Sequence, residues 1–213
     1  MRLSTLVLGI FVWSTSSTGF AAVIFYTDLP TFDSASSTTL VEDFESFSPK
    51  NTRLSSFTSN GITYTGFAGT PSPNVFVSAP GFTNFGVPVT TSSILTANGD
   101  EDFTLDFSTP TTAVGFDTYL NQFGPADVKV FGSSGLLGAF SLLHDPTLIG
   151  FLGITSTENI TSLRWTTVDG GVINTGIDNI RTGVGVVPLP PALWLFGTAL
   201  MGLIGFGKRR KAA

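Results

Sequence analysis

The chain has 213 residues and a formal charge of −5, with 10 basic residues, 15 acids, one histidine and no cysteine. Five of the basic residues lie at the two ends, so residues 22 to 187 keep five against all 15 acids, a formal charge of −10. That body would repel nucleic acid and anionic lipid, and the missing cysteines exclude disulfides, thiolate metal sites and a cysteine nucleophile.

The chain begins with a short basic start at Met1-Arg2, an apolar run from Leu3 to Trp13, and then "STSSTGFAA". This is the layout of a secretory signal peptide. Gly19 and Ala21 supply the small residues that signal peptidase requires, so cleavage is expected after Ala21; cleavage after Ala22 would place Phe20 at the third position before the cut. Three regions follow: a signal peptide (1–21), a body (22–184) and a tail (185–213).

The body opens with "TDLPTFDSAS", which predicts one short helix capped by Thr27 or Asp28, with Pro30 in its first turn. Short runs rich in Val, Ile, Thr and Phe come next, at 39–44, 61–65, 93–97, 102–107, 112–120, 126–132, 136–143, 149–156, 159–167 and 176–183. Several alternate, as half-buried strands do: Phe103, Leu105 and Phe107 face one way, Asp102, Thr104 and Asp106 the other. Turn dipeptides separate them, including Asn60-Gly61, Asn98-Gly99, Ser134-Gly135 and Asp169-Gly170. Residues 66–92 are rich in proline and glycine and predict a loop excursion with one strand at 75–78. The pattern predicts an all-β, antiparallel, jelly-roll-like sandwich of about ten strands in one domain.

Catalytic constellations are scarce. His144 is the only histidine, beside Asp145 in a loop, and "GSSG" at 132–135 reads as a hairpin turn. With 15 acids, a glycosidase pair is possible by counting, but no spacing selects one. Oxygen ligands for calcium are plentiful. "VEDFESF" puts Asp43 and Glu45 on one strand face, opposite Glu42 and Phe44, and "GIDNI" puts Asp178 and Asn179 in the last body strand. First and last strands often adjoin in a jelly roll, so Asp43, Glu45 and Asp178 are the expected ligands of a structural calcium ion. "NGDED", with Asn98, Asp100 and Asp102 alternating, is a second candidate; a solvated turn explains it as well. Tyr64, Tyr119 and Trp165 are sugar-stacking candidates by residue type alone, and "SLRWTT" places Trp165 in an inner strand.

The tail reads "PLPPALWLFGTALMGLIGFGKRRKAA". A helix over 192–207 would be about 24 Å long against a hydrocarbon core of about 30 Å, a marginal span that snorkelling by Lys208 and Arg209 extends. Trp194 suits one interface, and Lys208, Arg209, Arg210 and Lys211 suit the cytoplasmic side, which leaves the body outside.

Signal peptide, β-rich body, the proline motif Val187-Pro188-Leu189-Pro190 (extending to residue 191), short apolar helix and basic end, in that order, resemble the bacterial PEP-CTERM proteins. Here Leu189 stands where the family usually has Glu. The same tail is also catalogued as a C-terminal domain of ice-binding proteins; the body has no regular Thr-x-Thr ladder that would present an ice-binding face. The resemblance implies cutting near the proline motif by an exosortase, then release or transfer to the surface of a Gram-negative cell that makes exopolysaccharide. The body segments "YTDLPTF", "NGITYTG" and "GIDNIRT" are similar to those of other such proteins, whose bodies resemble carbohydrate-binding jelly rolls. The expected function is a non-catalytic binding or structural module of the surface or biofilm matrix. A polysaccharide hydrolase and a purely structural surface protein are the alternatives.

Overall fold

The computed structural model describes residues 22–67, 74–81, 91–97, 101–167 and 174–186. The expected signal peptide with Gly19 and Ala21, the Asn98-Gly99 and Asp169-Gly170 turns, and the tail from Val187 with its proline motif, Trp194 and basic cluster lie outside them. No helix among the described residues is long and apolar enough to cross a membrane.

The elements in chain order are β1 (Val23–Tyr26), α1 (Leu29–Ser34), β2 (Ser36–Glu42), β3 (Ser56–Ser59), β4 (Ile62–Gly66), β5 (Val75–Ser78), β6 (Ile94–Ala97), β7 (Phe103–Tyr119), β8 (Ala126–Gly132), β9 (Gly135–Leu142), β10 (Gly150–Thr167) and β11 (Gly176–Gly185). They form one antiparallel sheet with the order β5-β6-β11-β7-β10-β8-β9; β1 adds to β10, β2 to β11, and the β3–β4 hairpin to β7.

The sheet folds onto itself because β7 and β10 bend together. The first half of β7 pairs with β4 and its second half with β11, while β10 runs beside it throughout. Trp165 of β10 lies opposite Phe103 of β7 and stacks on it, with ring centroids 5.8 Å apart. Phe116, farther along β7, meets the same indole edge-on at 6.2 Å. In a straight strand Phe116 would lie about 43 Å from Phe103, at about 3.3 Å per residue. The two halves of the sheet therefore face one another across a single core, which makes the body a β-sandwich built from one continuous sheet. The ladder between β7 and β10 slips between Thr155 and Ser162, where the turn occurs. On β7 the bend holds Pro110, which has no N–H to give. Beside it the Thr111 hydroxyl donates to the Gly183 carbonyl at 2.6 Å and accepts the Gly183 N–H at 3.0 Å.

Two pairs of expected strands are thus single bent ones: 102–107 with 112–120, and 149–156 with 159–167. Two short strands, β1 and β3, were not expected. The predicted helix is present. Asp28 caps it by accepting the Thr31 N–H at 2.9 Å, and Pro30 lies in its first turn. Its one buried side chain, Phe32, lies on the backbone of Gly115 and Gly153, where an added Cβ would come within 2.8 and 2.5 Å of the ring. The Asn60-Gly61 turn has φ of 46° and 76° at its two central residues, the left-handed pair that a tight two-residue hairpin needs. Ser133-Ser134 closes the β8–β9 hairpin as expected.

Trp165 fills the point where both halves of β7 meet, so truncating it opens a cavity the bent strands cannot close. Trp165→Ala is expected to lower stability by about 3–5 kcal/mol, read from urea denaturation monitored by circular dichroism.

Candidate functional site

The bend leaves an opening on one side of the sandwich. It is bordered by β2, the β3–β4 turn, the middle of β7 and the end of β11, and forms a cleft of about 350 Å³. That volume lies at the small end of the range for small-molecule sites, about 300–1,000 Å³. The polar lining residues are Thr39, Thr109, Thr111, Thr182 and Asn60; the hydroxyl of Thr111 is held by the Gly183 backbone and that of Thr39 donates to the Thr182 carbonyl. Leu40, Ile62, Phe107, Pro110 and Val184 supply the apolar surface, and among the described residues no lining residue carries a charge. Phe107 is half-buried and Val184 exposed, so both present surface to a ligand.

Behind the lining stands a charge. Glu42, the last residue of β2, is 2% exposed. One carboxylate oxygen accepts the Phe44 N–H at 2.9 Å, and the other accepts Nδ2 of Asn60 at 2.9 Å. Phe44 has a left-handed backbone (φ 55°), which turns the chain back toward Glu42. Tyr64 lies close by in the core, fully buried, and its hydroxyl has no hydrogen-bond partner among the described residues. Burial, and secondarily the negative charge of Glu42, raise its pKa far above the ordinary phenol value.

A second polar cluster lies on β7 and β11, where Asp117 and Asp178 are directly opposed. Like charges in that register repel. Asn179 and Arg181 relieve them: Asn179 Nδ2 donates to both carboxylates, at 2.8 Å to Asp117 and 3.2 Å to Asp178, and Arg181 lies 3.4 Å from Asp117. Asn179 can do this because it occupies a bulge with φ 49°. Asp178 is fully buried and also accepts from Ser92 Oγ at 2.7 Å and from the Asn179 N–H at 2.6 Å. Burial dominates and pushes its pKa up to about 6, with the charges of Asp117 and Glu45 adding to the shift. Burial and the Asp178 charge likewise push Tyr119 up to about 12.

The expected calcium ligands divide between settings. The two faces separate as the alternation predicts: Glu42 and Phe44 are buried, Asp43 and Glu45 exposed, and β2 lies beside β11 with Glu42 opposite Ile180. Glu45 accepts the Ser93 N–H at 2.7 Å and forms an ion pair with Lys50 at 3.5 Å; these contacts, led by the Ser93 N–H, lower its pKa. Glu45 and Asp178 thus hold the adjacent residues Ser93 and Ser92. Asp43 instead accepts the Glu45 N–H in an exposed turn. Among the described residues no three acids or histidines gather in a way that could hold a metal ion. Of the "NGDED" candidate, Asn98 and Asp100 lie outside the described residues, and Asp102 accepts the Thr167 N–H at 3.0 Å.

Tyr64 and Tyr119 are corrected as stacking candidates, while Trp165 lies in an inner strand as its context indicated. Tyr64 (0% exposed), Tyr119 (5%) and Trp165 (1%) are all core residues and present no face to a ligand. His144 contacts the Thr118 hydroxyl at 3.0 Å and the Asp145 carbonyl at 2.9 Å, while the Asp145 carboxylate is turned to Thr147. Sequence reasoning passed over Glu42, Asn60 and Phe107 as site residues. The Asn60-Gly61 dipeptide signalled a turn, and nothing local showed that the turn borders a cleft.

The raised pKa of Asp178 has a definite sign. Its folded value of about 6 exceeds the ordinary 3.8, so the folded state favours the protonated acid. The associated stability is complete below about pH 4 and is lost as pH rises through 6. Asp178→Asn is expected to gain about 2–3 kcal/mol on the native protein between pH 4 and pH 7, measured by urea denaturation across that range. A difference between the two proteins that does not change with pH would contradict the assignment.

The sequence matches no protein-family model, and no curated protein matches it at a significant level. Solved structures similar to it include mutants of CBM29-2, a family 29 carbohydrate binding module. One, complexed with cellulohexaose, is 14% identical with a TM-score of 0.32 and matches over 59% of this chain and 95% of its own. A second is 9% identical with a TM-score of 0.30, over 80% and 99%. A third, complexed with mannohexaose, is 7% identical with a TM-score of 0.28, over 76% and 94%.

Proposed function

We propose that this chain is exported and sorted to the cell surface, and that its jelly-roll-like body holds a neutral polysaccharide in the corner cleft without cleaving it. The observation that carries the binding role is the cleft's lining: four threonines and an asparagine around the half-buried ring of Phe107, with no charged residue among the described ones. Sugars present the matching chemistry, hydroxyls that exchange hydrogen bonds with Thr and Asn, and C–H faces that pack on an aromatic ring. General acid–base cleavage needs a carboxylate or imidazole at the bond being broken, and the lining supplies neither.

The sorting role is supported by the two ends. A signal peptide ending at Ala21 would export the chain, and the tail would stop it in the membrane with Lys208, Arg209, Arg210 and Lys211 inside. An exosortase would then meet Val187-Pro188-Leu189-Pro190 at the outer interface. A cell surface rich in exopolysaccharide is where a module with such a cleft would find its ligand.

A glycan array of neutral and uronic-acid-containing oligosaccharides, read at millimolar concentrations, tests the binding role. The wild type is expected to retain neutral saccharides, and Phe107→Ala to lose at least about tenfold in affinity while melting as a folded protein. Absence of neutral saccharide binding would sink this role. Mass spectrometry of the protein recovered from its own host tests the sorting. The stable product is expected to begin at Ala22 and to lack Lys208 to Lys211, whereas a tail intact through Ala213 would make the helix a permanent anchor.

A further inference from the structure

Resting on the reading of the corner cleft as a saccharide site, we infer that Glu42 is a positioning residue that fixes the Asn60 amide so that the cleft accepts a hydrogen bond from a ligand hydroxyl. Three observations carry this. First, Glu42 is a carboxylate 2% exposed, and neither ion pair found among the described residues includes it. A buried charge without a cation is costly and is retained where it does something that a neutral residue cannot. Second, the carboxylate can only accept hydrogen bonds, so the Asn60 group facing it at 2.9 Å is Nδ2, and the amide cannot flip without setting oxygen against oxygen. With Nδ2 committed to Glu42, Oδ1 is the acceptor that the amide keeps for a ligand. Third, the turn does not hold Asn60 by burial: its side chain is exposed at the cleft, on a left-handed backbone position, and Glu42 anchors it from behind.

The orphaned hydroxyl of Tyr64 fits the same picture. It lies fully buried within the electrostatic reach of Glu42, yet has no hydrogen-bond partner among the described residues. The carboxylate oxygens are directed to Phe44 and Asn60 instead. The core leaves a polar group unsatisfied while the carboxylate serves the turn and the cleft, a local conflict of the kind found at functional sites.

The test uses Glu42→Gln, which keeps shape and removes the acceptor-only constraint, beside Asn60→Ala, which removes the amide. The Asn60 side-chain amide protons, followed by ¹⁵N-resolved NMR of the wild type, are expected to be shifted downfield and slow to exchange, and to lose both properties in Glu42→Gln. Calorimetric titration with cellohexaose and mannohexaose is the second arm. Both variants are expected to weaken binding by at least about tenfold, with a melting midpoint showing that each is folded. Asn60 amide signals unchanged by Glu42→Gln would overturn the positioning role, as would wild-type affinity in a folded Glu42→Gln protein. If the wild type binds no saccharide, the cleft reading fails on its own account, and the NMR arm still decides whether Glu42 orients the amide.

Discussion

The paired bend of β7 and β10 around Trp165 is the constraint on which the rest of the body depends. A flat eleven-stranded sheet would leave both faces wet. Folding it at the corner lets Phe103 and Phe116, from opposite halves of one strand, close on the same indole. A corner breaks backbone pairing, and buried unpaired N–H and C=O groups are costly. Side chains fill the gaps on both strands. Thr111 takes the place of ladder partners on β7. On β10, the Ser156 hydroxyl accepts the Glu158 N–H at 3.1 Å, and the Glu158 carboxylate in turn holds the β8–β9 turn through the hydroxyls of Ser133 and Ser134 and the Ser134 N–H. The cleft is a by-product of this geometry, since a sheet turned at a corner cannot pack its outer side as tightly as its inner one.

The acids of this body act chiefly on its own backbone. Asp28, Glu42, Asp43, Glu45, Glu101, Asp102, Asp145, Glu158 and Asp178 each accept a backbone N–H. Several of these contacts cross large sequence separations: Glu45 holds Ser93, Asp102 holds Thr167 and Glu101 holds Thr175. In a chain without disulfides, charged hydrogen bonds of this kind tie loops to strands. Read as sequence, the same residues are a supply of metal ligands. The difference lies in which loop is brought beside which acid, and one-dimensional spacing does not contain that.

The sequence disclosed what depends on near neighbours. The alternation of Phe103, Leu105 and Phe107 located a strand, Asp28 and Pro30 located the helix start, and Asn60-Gly61 located a hairpin. The two bent strands were each read as two, because Pro110 and the polar run Ser156-Thr157-Glu158-Asn159 look like turns; the chain stays extended through both and changes partner instead. Tyr64 and Tyr119 were plausible as surface rings because a phenol carries a polar tip, yet both are enclosed by the fold. The alternation put Glu42 on the face opposite Asp43 and Glu45, but its use could not be read, since Asn60 lies 18 residues away across a loop and a hairpin.

The position of the cleft bears on how the body and the proposed sorting tail would work together. Val184 lines the cleft, and Val186 is held by its N–H to the Ala35 carbonyl, at the end of the helix that follows β1. The proline motif begins at Val187, three residues after Val184. Three residues span at most about 10 Å. By chain length alone, the proposed motif therefore begins within that reach of the cleft's rim. The exposed apolar loop residues Leu143, Leu148 and Ile149 lead into the start of β10, which pairs with the end of β7 at Thr118, whereas Val184 is paired at the strand ends nearest the corner. The cleft thus lies at the end of the body from which the tail leaves, away from those apolar loop residues.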